Sequence, residues 1–173
     1  MIDETDYDEP DHCTVGVIGE VGNRLFLLYC RQGLAETTVK VEKQQVAVLA
    51  TYLGRIVKEL GRPGHLPDDL SFDGTEDPEW IVGTIGVSYD EELDRVVIVL
   101  EEITVEDEDE EEDDEDSGHV LRIALTREQA AAFAIHATRL VESGRPPCPL
   151  CGLPLDPSGH DCPRTNGHRP PVT

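Results

Sequence analysis

The chain lacks the recognisable signatures of common catalytic machinery. It has no Gly-x-x-x-x-Gly-Lys-Ser/Thr phosphate loop, no Gly-x-Ser-x-Gly nucleophile elbow and no His-Glu-x-x-His helix. It is short of positive charge, with 14 Lys and Arg against 37 Asp and Glu, a formal net charge of −23. That excess works against electrostatic attraction to nucleic acid or to an anionic membrane surface. It also lacks long apolar runs: Leu25-Phe-Leu-Leu-Tyr-Cys30 is among the longest and is far too short to span a bilayer. The first residues, Met-Ile-Asp-Glu-Thr-Asp, show neither a basic nor an apolar region of the kind that directs export. These absences predict a cytoplasmic protein with reduced cysteines, no membrane partner and no enzymatic role written in a motif.

The acidic residues are concentrated. Residues 101–116 hold thirteen acids and no base, and residues 1–11 hold six acids and no base. Outside these two stretches the charge is close to balanced. A segment so charged cannot bury enough apolar surface to order itself. The expected organisation is a disordered acidic N-terminus at 1–12, an α+β domain at 13–144 carrying an acidic loop at 101–118, and a metal-binding motif with tail at 145–173.

What is present in strength is a ligand cluster. Cys148-x-x-Cys151 is followed by His160-x-Cys162, four soft or borderline ligands within fifteen residues. Three sulfurs and one nitrogen suit tetrahedral zinc in a closed, structural site. Gly152 stands where such a turn favours positive φ, and Pro147, Pro149 and Pro163 stiffen the approaches. A redox Cys-x-x-Cys pair would leave His160 and Cys162 unexplained. A catalytic zinc would keep a position open for water. His168 is the alternative fourth ligand. Arg145, Arg164 and Arg169 are near enough in sequence to offset the net negative charge of zinc with three thiolates. Cys13 and Cys30 have no partner by spacing, and Cys30 reads as a small core residue.

Hydrophobic periodicity predicts strands at 14–20, 24–31 and 36–41, then a helix at 43–60 whose Val46, Leu49, Leu53, Ile56, Val57 and Leu60 share a face. After a polar connector, strands follow at 80–89, 95–101 and 119–125. A second helix opens with Thr126-Arg-Glu-Gln129, a capping-box pattern. The two halves, 13–61 and 80–144, repeat strand, strand, strand, helix, Gly-Arg-Pro. Glu42-Lys-Gln-Gln45 lies over Thr126-Arg-Glu-Gln129, and Arg24-Leu-Phe-Leu-Leu over Arg95-Val-Val-Ile-Val. The expected fold class is therefore α+β: duplicated β-β-β-α halves forming antiparallel sheets with two helices, plus a small zinc knuckle. His136 reads as a core or rim histidine of the second helix, and His65 and His119 have no evident catalytic partner.

Three stretches together resemble a known family: Arg24-Leu-Phe-Leu-Leu-Tyr-Cys-Arg-Gln-Gly33, Val41-Glu-Lys-Gln-Gln-Val-Ala-Val-Leu49, and residues 145–157 with Cys162-Pro-Arg-x-Asn-Gly-His168. They are similar to the domain of unknown function 3090. The resemblance covers nearly the whole chain. It implies a cytosolic actinobacterial protein with a metal-binding C-terminus, and genes nearby for a lipid-kinase-like and a histidine-phosphatase-like protein; it brings no activity with it. Two functions remain open at this point. One is a non-enzymatic zinc-containing module that binds a protein partner. The other is an enzyme or sensor for a phosphorylated or nucleotide ligand between the halves, where Arg24, Lys43, Arg95 and Arg127 would lie.

Overall fold

A computed structural model describes residues 2–20, 22–104, 118–144, 148–153, 155 and 162–164. In chain order the elements are β1 (Ile2–Tyr7), β2 (His12–Ile18), β3 (Leu25–Gln32), β4 (Ala35–Val41), α1 (Lys43–Leu60), β5 (Val82–Asp90), β6 (Arg95–Glu102), β7 (Gly118–Leu125) and α2 (Arg127–Glu142). They form two sheets, ordered β2-β3-β4 and β1-β7-β6-β5. All pairings are antiparallel except β1 with β7. The architecture is α+β with two helices, as the periodicity predicts.

Register explains why both sheets bury one face. In the first, Val17, Phe26 and Val41 form one cross-strand row, and Val15, Leu28 and Val39 the next. In the second, Tyr89, Val96 and Leu125 form the corresponding row, and Val87, Ile98 and Ile123 the next. All of these belong to the core or pack against it. The rows correct the match drawn from sequence: Phe26 corresponds to Val96, which sets Arg24 against Asp94 rather than Arg95. Side chains alternate with period two, so a displacement of one residue would turn the core face outward.

Each helix leaves its third strand through the same cap. Glu42 and Gln45 form a reciprocal capping box on α1, and Thr126 and Gln129 do so on α2. The two glutamines then reach across the molecule. Gln45 donates to the carbonyls of Val82 and Gly83, and Gln129 donates to that of Pro10. The helices pack on one another, α2 also lies on β2, and α1 lies on β5. Each helix thus covers the leading strand of the other unit, and neither unit closes its core alone.

The segments leading into the units are exchanged as well. β1 precedes the first unit but pairs with β7 of the second. Residues 79–81 precede the second unit but run beside β4 of the first, with Lys40 N–H on the Trp80 carbonyl and Glu79 N–H on that of Thr38. This corrects the expectation of a disordered N-terminus. Its acids point away from the core, the open edge of β7 satisfies its backbone, and Tyr7, 2 % exposed, anchors it with its hydroxyl 2.9 Å from Thr37 Oγ1. The polar connector is also more than a tether. It crosses the outer face of the first sheet, where Thr14 donates to the Leu70 carbonyl, His12 bonds Ser71, and Phe72 packs edge-on to Tyr29. Gly16 leaves the space that Phe72 fills, since a Cβ there would lie 2.5 Å from its ring. The acidic loop falls largely outside the described residues.

Candidate metal centre

Beyond α2 the described chain holds residues 148–153, 155 and 162–164. Backbone chemistry shapes the turn. The Gly152 N–H donates to the Cys148 carbonyl at 2.8 Å, and the Cys148 N–H donates to the Leu153 carbonyl at 2.7 Å. Gly152 sits at φ 75°, in the left-handed region that a Cβ would penalise. The loop folds the two thiols of Cys148-x-x-Cys151 toward a common centre, and Cys162 returns to meet them.

The three Sγ atoms lie within 4.8 Å of one another, and those of Cys148 and Cys162 are 3.9 Å apart. A disulfide would require about 2.05 Å. Two thiolates on a tetrahedral zinc with arms of about 2.3 Å would stand about 3.8 Å apart. The spacing therefore suits a shared cation and not a covalent bridge. Cys148 and Cys162 are 2 % and 3 % exposed, and Cys151 is half-buried. Burial pushes the Cys151 thiol above its ordinary range, and the neighbouring Cys162 and Cys148 add to the rise, while the Leu153 backbone opposes it. The crowded surroundings thus oppose ionisation of Cys151. A divalent cation reverses that preference, because it binds the thiolates directly.

Of the predicted ligands, the structure brings together Cys148, Cys151 and Cys162. His160 and its alternative His168 lie outside the described residues, as do Arg145 and Arg169; Arg164 is described and exposed. The set can hold one metal ion.

The other candidates separate. Arg24 donates to Ser143 at the end of α2, and Lys43 Nζ lies 3.4 Å from where a Gly144 Cβ would be. Arg127 binds the Leu60 carbonyl at the end of α1 and pairs with Asp94 at 2.9 Å. Arg95 donates to the carbonyls of Leu93 and Asp94. These residues do not converge on one groove. Arg24, Lys43 and Arg127 gather at helix C-termini, where the dipole attracts cations. The groove between the helices, about 390 Å³, is lined by Gly54, Val57, Ala131 and Ala134, with Lys58 and Arg62 among its walls.

Sequence spacing missed two features. Cys13 stands directly opposite Cys30 across β2 and β3, both buried, and the Cys13 thiol is raised well above its ordinary value by its hydrogen bond to Cys30 and then by burial. Only strand register reveals that pairing. His136 places Nε2 3.0 Å from the Val15 carbonyl on the edge strand β2. His119 stacks on Trp80, with ring centroids 6.1 Å apart, and His65 lies beside Asp68.

Fold and centre define an α+β protein with a three-cysteine site beyond its last helix. The chain belongs to the family described as Protein of unknown function (DUF3090), whose sequence model matches residues 5–162. No curated protein and no solved structure matches it. No helix among the described residues is long and apolar enough to cross a membrane.

Proposed function

We propose that the chain is a non-enzymatic, zinc-containing protein-interaction module of the cytoplasm, built by duplication of a β-β-β-α unit. The observation that carries the metal reading is the 3.9 Å separation of two buried cysteine sulfurs with a third beside them. Zinc is the ion, bound by Cys148, Cys151, Cys162 and His160. Four ligands close the coordination sphere, so the metal orders the loop and presents it to a partner protein. The duplication is supported by the matching core rows, the matching capping boxes and the exchanged leading segments.

The test is metal content and ligand identity. Purified under reducing, metal-replete conditions, the protein contains one zinc per chain by elemental analysis. X-ray absorption shows three sulfur and one nitrogen scatterer at about 2.3 and 2.0 Å. Cys151→Ser and chelation both loosen residues 145–173 and leave the two sheets folded, because the loop has few apolar residues of its own. His160→Ala weakens binding sharply and His168→Ala does not; the reverse order would move the fourth ligand into the tail. Protein without metal would remove the assignment. Capture of a stoichiometric partner that is lost on Cys151→Ser supports the module reading.

A second reading is an enzyme or sensor for a phosphorylated or nucleotide ligand. It is favoured by the inter-helix groove with Lys58 and Arg62 in its walls. A thermal-shift screen against phosphorylated metabolites tests it: a ligand of the folded state raises the melting temperature, and Arg62→Ala abolishes the rise.

A further inference from the structure

The leading strand of each unit ends a sheet, β2 in one and β5 in the other. The β2 edge is closed. His136 hydrogen-bonds the Val15 carbonyl, and Ala132 and Phe133 of α2 are 3 % and 0 % exposed against it. Among the described residues the β5 edge is open beyond Gly83, whose carbonyl and that of Val82 accept from Gln45 of α1. Counting from the caps, Val48, Leu49 and Tyr52 of α1 take the places of Ala132, Phe133 and His136. Val48 and Tyr52 are 48 % and 50 % exposed. Between α1 and β5 lies a groove of about 540 Å³, lined by Gln45, Val48, Tyr52, Gly83, Ile85 and Val87, with Gln44 and Leu49 completing it.

An open edge is usually guarded by charge or proline. Here residues 80–89 form an uncharged run, Trp-Ile-Val-Gly-Thr-Ile-Gly-Val-Ser-Tyr. The charge stands at the two ends of the strand. At its far end Asp90 stands against Arg95 of β6 and is followed by Glu91 and Glu92, and Glu101 and Glu102 lie opposite its Val82 end. None of these four glutamates makes an ion pair among the described residues, although Glu102 accepts the His119 N–H of β7 at 3.1 Å.

We propose that the groove between β5 and α1 binds an extended segment of a partner protein by strand addition, apolar at alternate positions and carrying Lys or Arg at both ends. The β5 edge supplies main-chain hydrogen bonds, Val48, Tyr52, Ile85 and Val87 receive alternate side chains, and the glutamates at both ends select for basic flanks. A second copy of this chain is the wrong occupant. Pairing β5 with β5 in either direction brings glutamates against glutamates at both ends.

The probe is a labelled peptide, Lys-Arg-Val-Thr-Val-Thr-Val-Arg-Lys, titrated into the full chain, with a twin in which every Lys and Arg is Glu. The basic peptide binds saturably, at least about ten-fold more tightly than its acidic twin, and weakens as salt rises. Amide shifts concentrate in β5 and the groove face of α1. Val48→Lys and Tyr52→Ala, both at exposed positions and checked for an unchanged fold by circular dichroism, each weaken it by about ten-fold or more. Binding survives chelation, which separates this site from the metal centre: failure here leaves the zinc reading standing, and loss of zinc leaves this one standing. No binding, equal binding of the twins, shifts elsewhere or unchanged affinity in both variants would overturn the proposal. A concentration-dependent dimer abolished by Val48→Lys would overturn it in favour of a second copy.

Discussion

The two β-β-β-α units share their order of elements, their core rows and their helix caps, yet they treat their leading strands differently. In the α2 unit the helix carries Ala130, Ala131, Ala132, Ala134 and Ala137, all buried. Small side chains let α2 settle closely on β2, and His136 then reaches a main-chain carbonyl. In the α1 unit the same positions carry Val46, Ala47, Val48, Ala50 and Leu53. Bulkier residues hold α1 away from β5 and leave a groove. One set of backbone elements thus makes a closed edge or an open one according to side-chain volume at a few helical positions.

The largest expected effect tests whether the units are independent. Phe133 and Leu49 occupy matching places, 0 % and 3 % exposed. Phe133→Ala is expected to cost about 3–5 kcal/mol and Leu49→Ala about 2–5 kcal/mol. Each helix lies on the leading strand of the other unit, so both variants should unfold in urea as one transition followed equally by every probe. A biphasic curve in either variant would show that one unit can stand alone.

The edges themselves are compared next. Removing His136 leaves the Val15 carbonyl unpaired in a largely buried place, so His136→Ala should cost about 1–3 kcal/mol and speed hydrogen exchange along β2. Tyr52 is half exposed, makes no hydrogen bond among the described residues and carries the Arg55 guanidinium 5.6 Å over its ring, so Tyr52→Ala should change stability by no more than about 1 kcal/mol. Equal losses would show that the β5 edge is as closed as the β2 edge.

Much of this asymmetry could be read from the residues, and some could not. The helix at 43–60 and the capping box at Thr126 follow from apolar periodicity and from an oxygen-bearing cap, both local signals. β1 was missed because its stabilisation is not local: the backbone of an acidic segment is satisfied by the edge of β7, more than a hundred residues away. Cys13 opposite Cys30, and Phe26 rather than Leu25 over Val96, depend on register, which hairpin geometry sets. In the metal centre, Cys148 and Cys151 were legible because Cys-x-x-Cys is itself a local turn. Cys162 converges on them as its spacing implied, while His160 lies outside the described residues.

The caps give a smaller contrast. Thr126 accepts from the Gln129 N–H with a short hydroxyl, whereas Glu42 does the same task with a longer, exposed side chain. Thr126→Ala should cost about 1 kcal/mol. Glu42→Ala should cost less, since a flexible carboxylate gives back rotamer freedom when it is removed. Chemical denaturation of the two single variants measures the difference, and a larger loss at Glu42 would reverse the ranking.

The smallest effect concerns acid. In the turn between β5 and β6, Asp94 receives the Tyr89 hydroxyl at 2.6 Å and the Arg127 Nε at 2.9 Å. These two hydrogen bonds, the Tyr89 one first, hold its carboxyl below the ordinary aspartate range. Glu128 is held low by the Gly64 N–H. A depressed carboxyl stabilises the fold above its unfolded pKa, and that contribution disappears as pH falls through the lower, folded value. The network should therefore be intact at neutral pH and fail only below the usual carboxylate range. Asp94 is exposed and solvent screens it, so the effect should be modest. Asp94→Asn removes the titration while keeping a residue that tolerates the φ of 51° found there. Its melting temperature should fall less steeply than that of the parent as pH is lowered through the acid range. Parallel acid limbs in the two proteins would show that the Tyr89–Asp94–Arg127 contacts hold the turn by shape and not by charge. The first unit offers an internal control, because Arg24, set against Asp94 by register, is tied to Ser143 instead: removing its charge with Arg24→Gln should leave the acid limb unchanged.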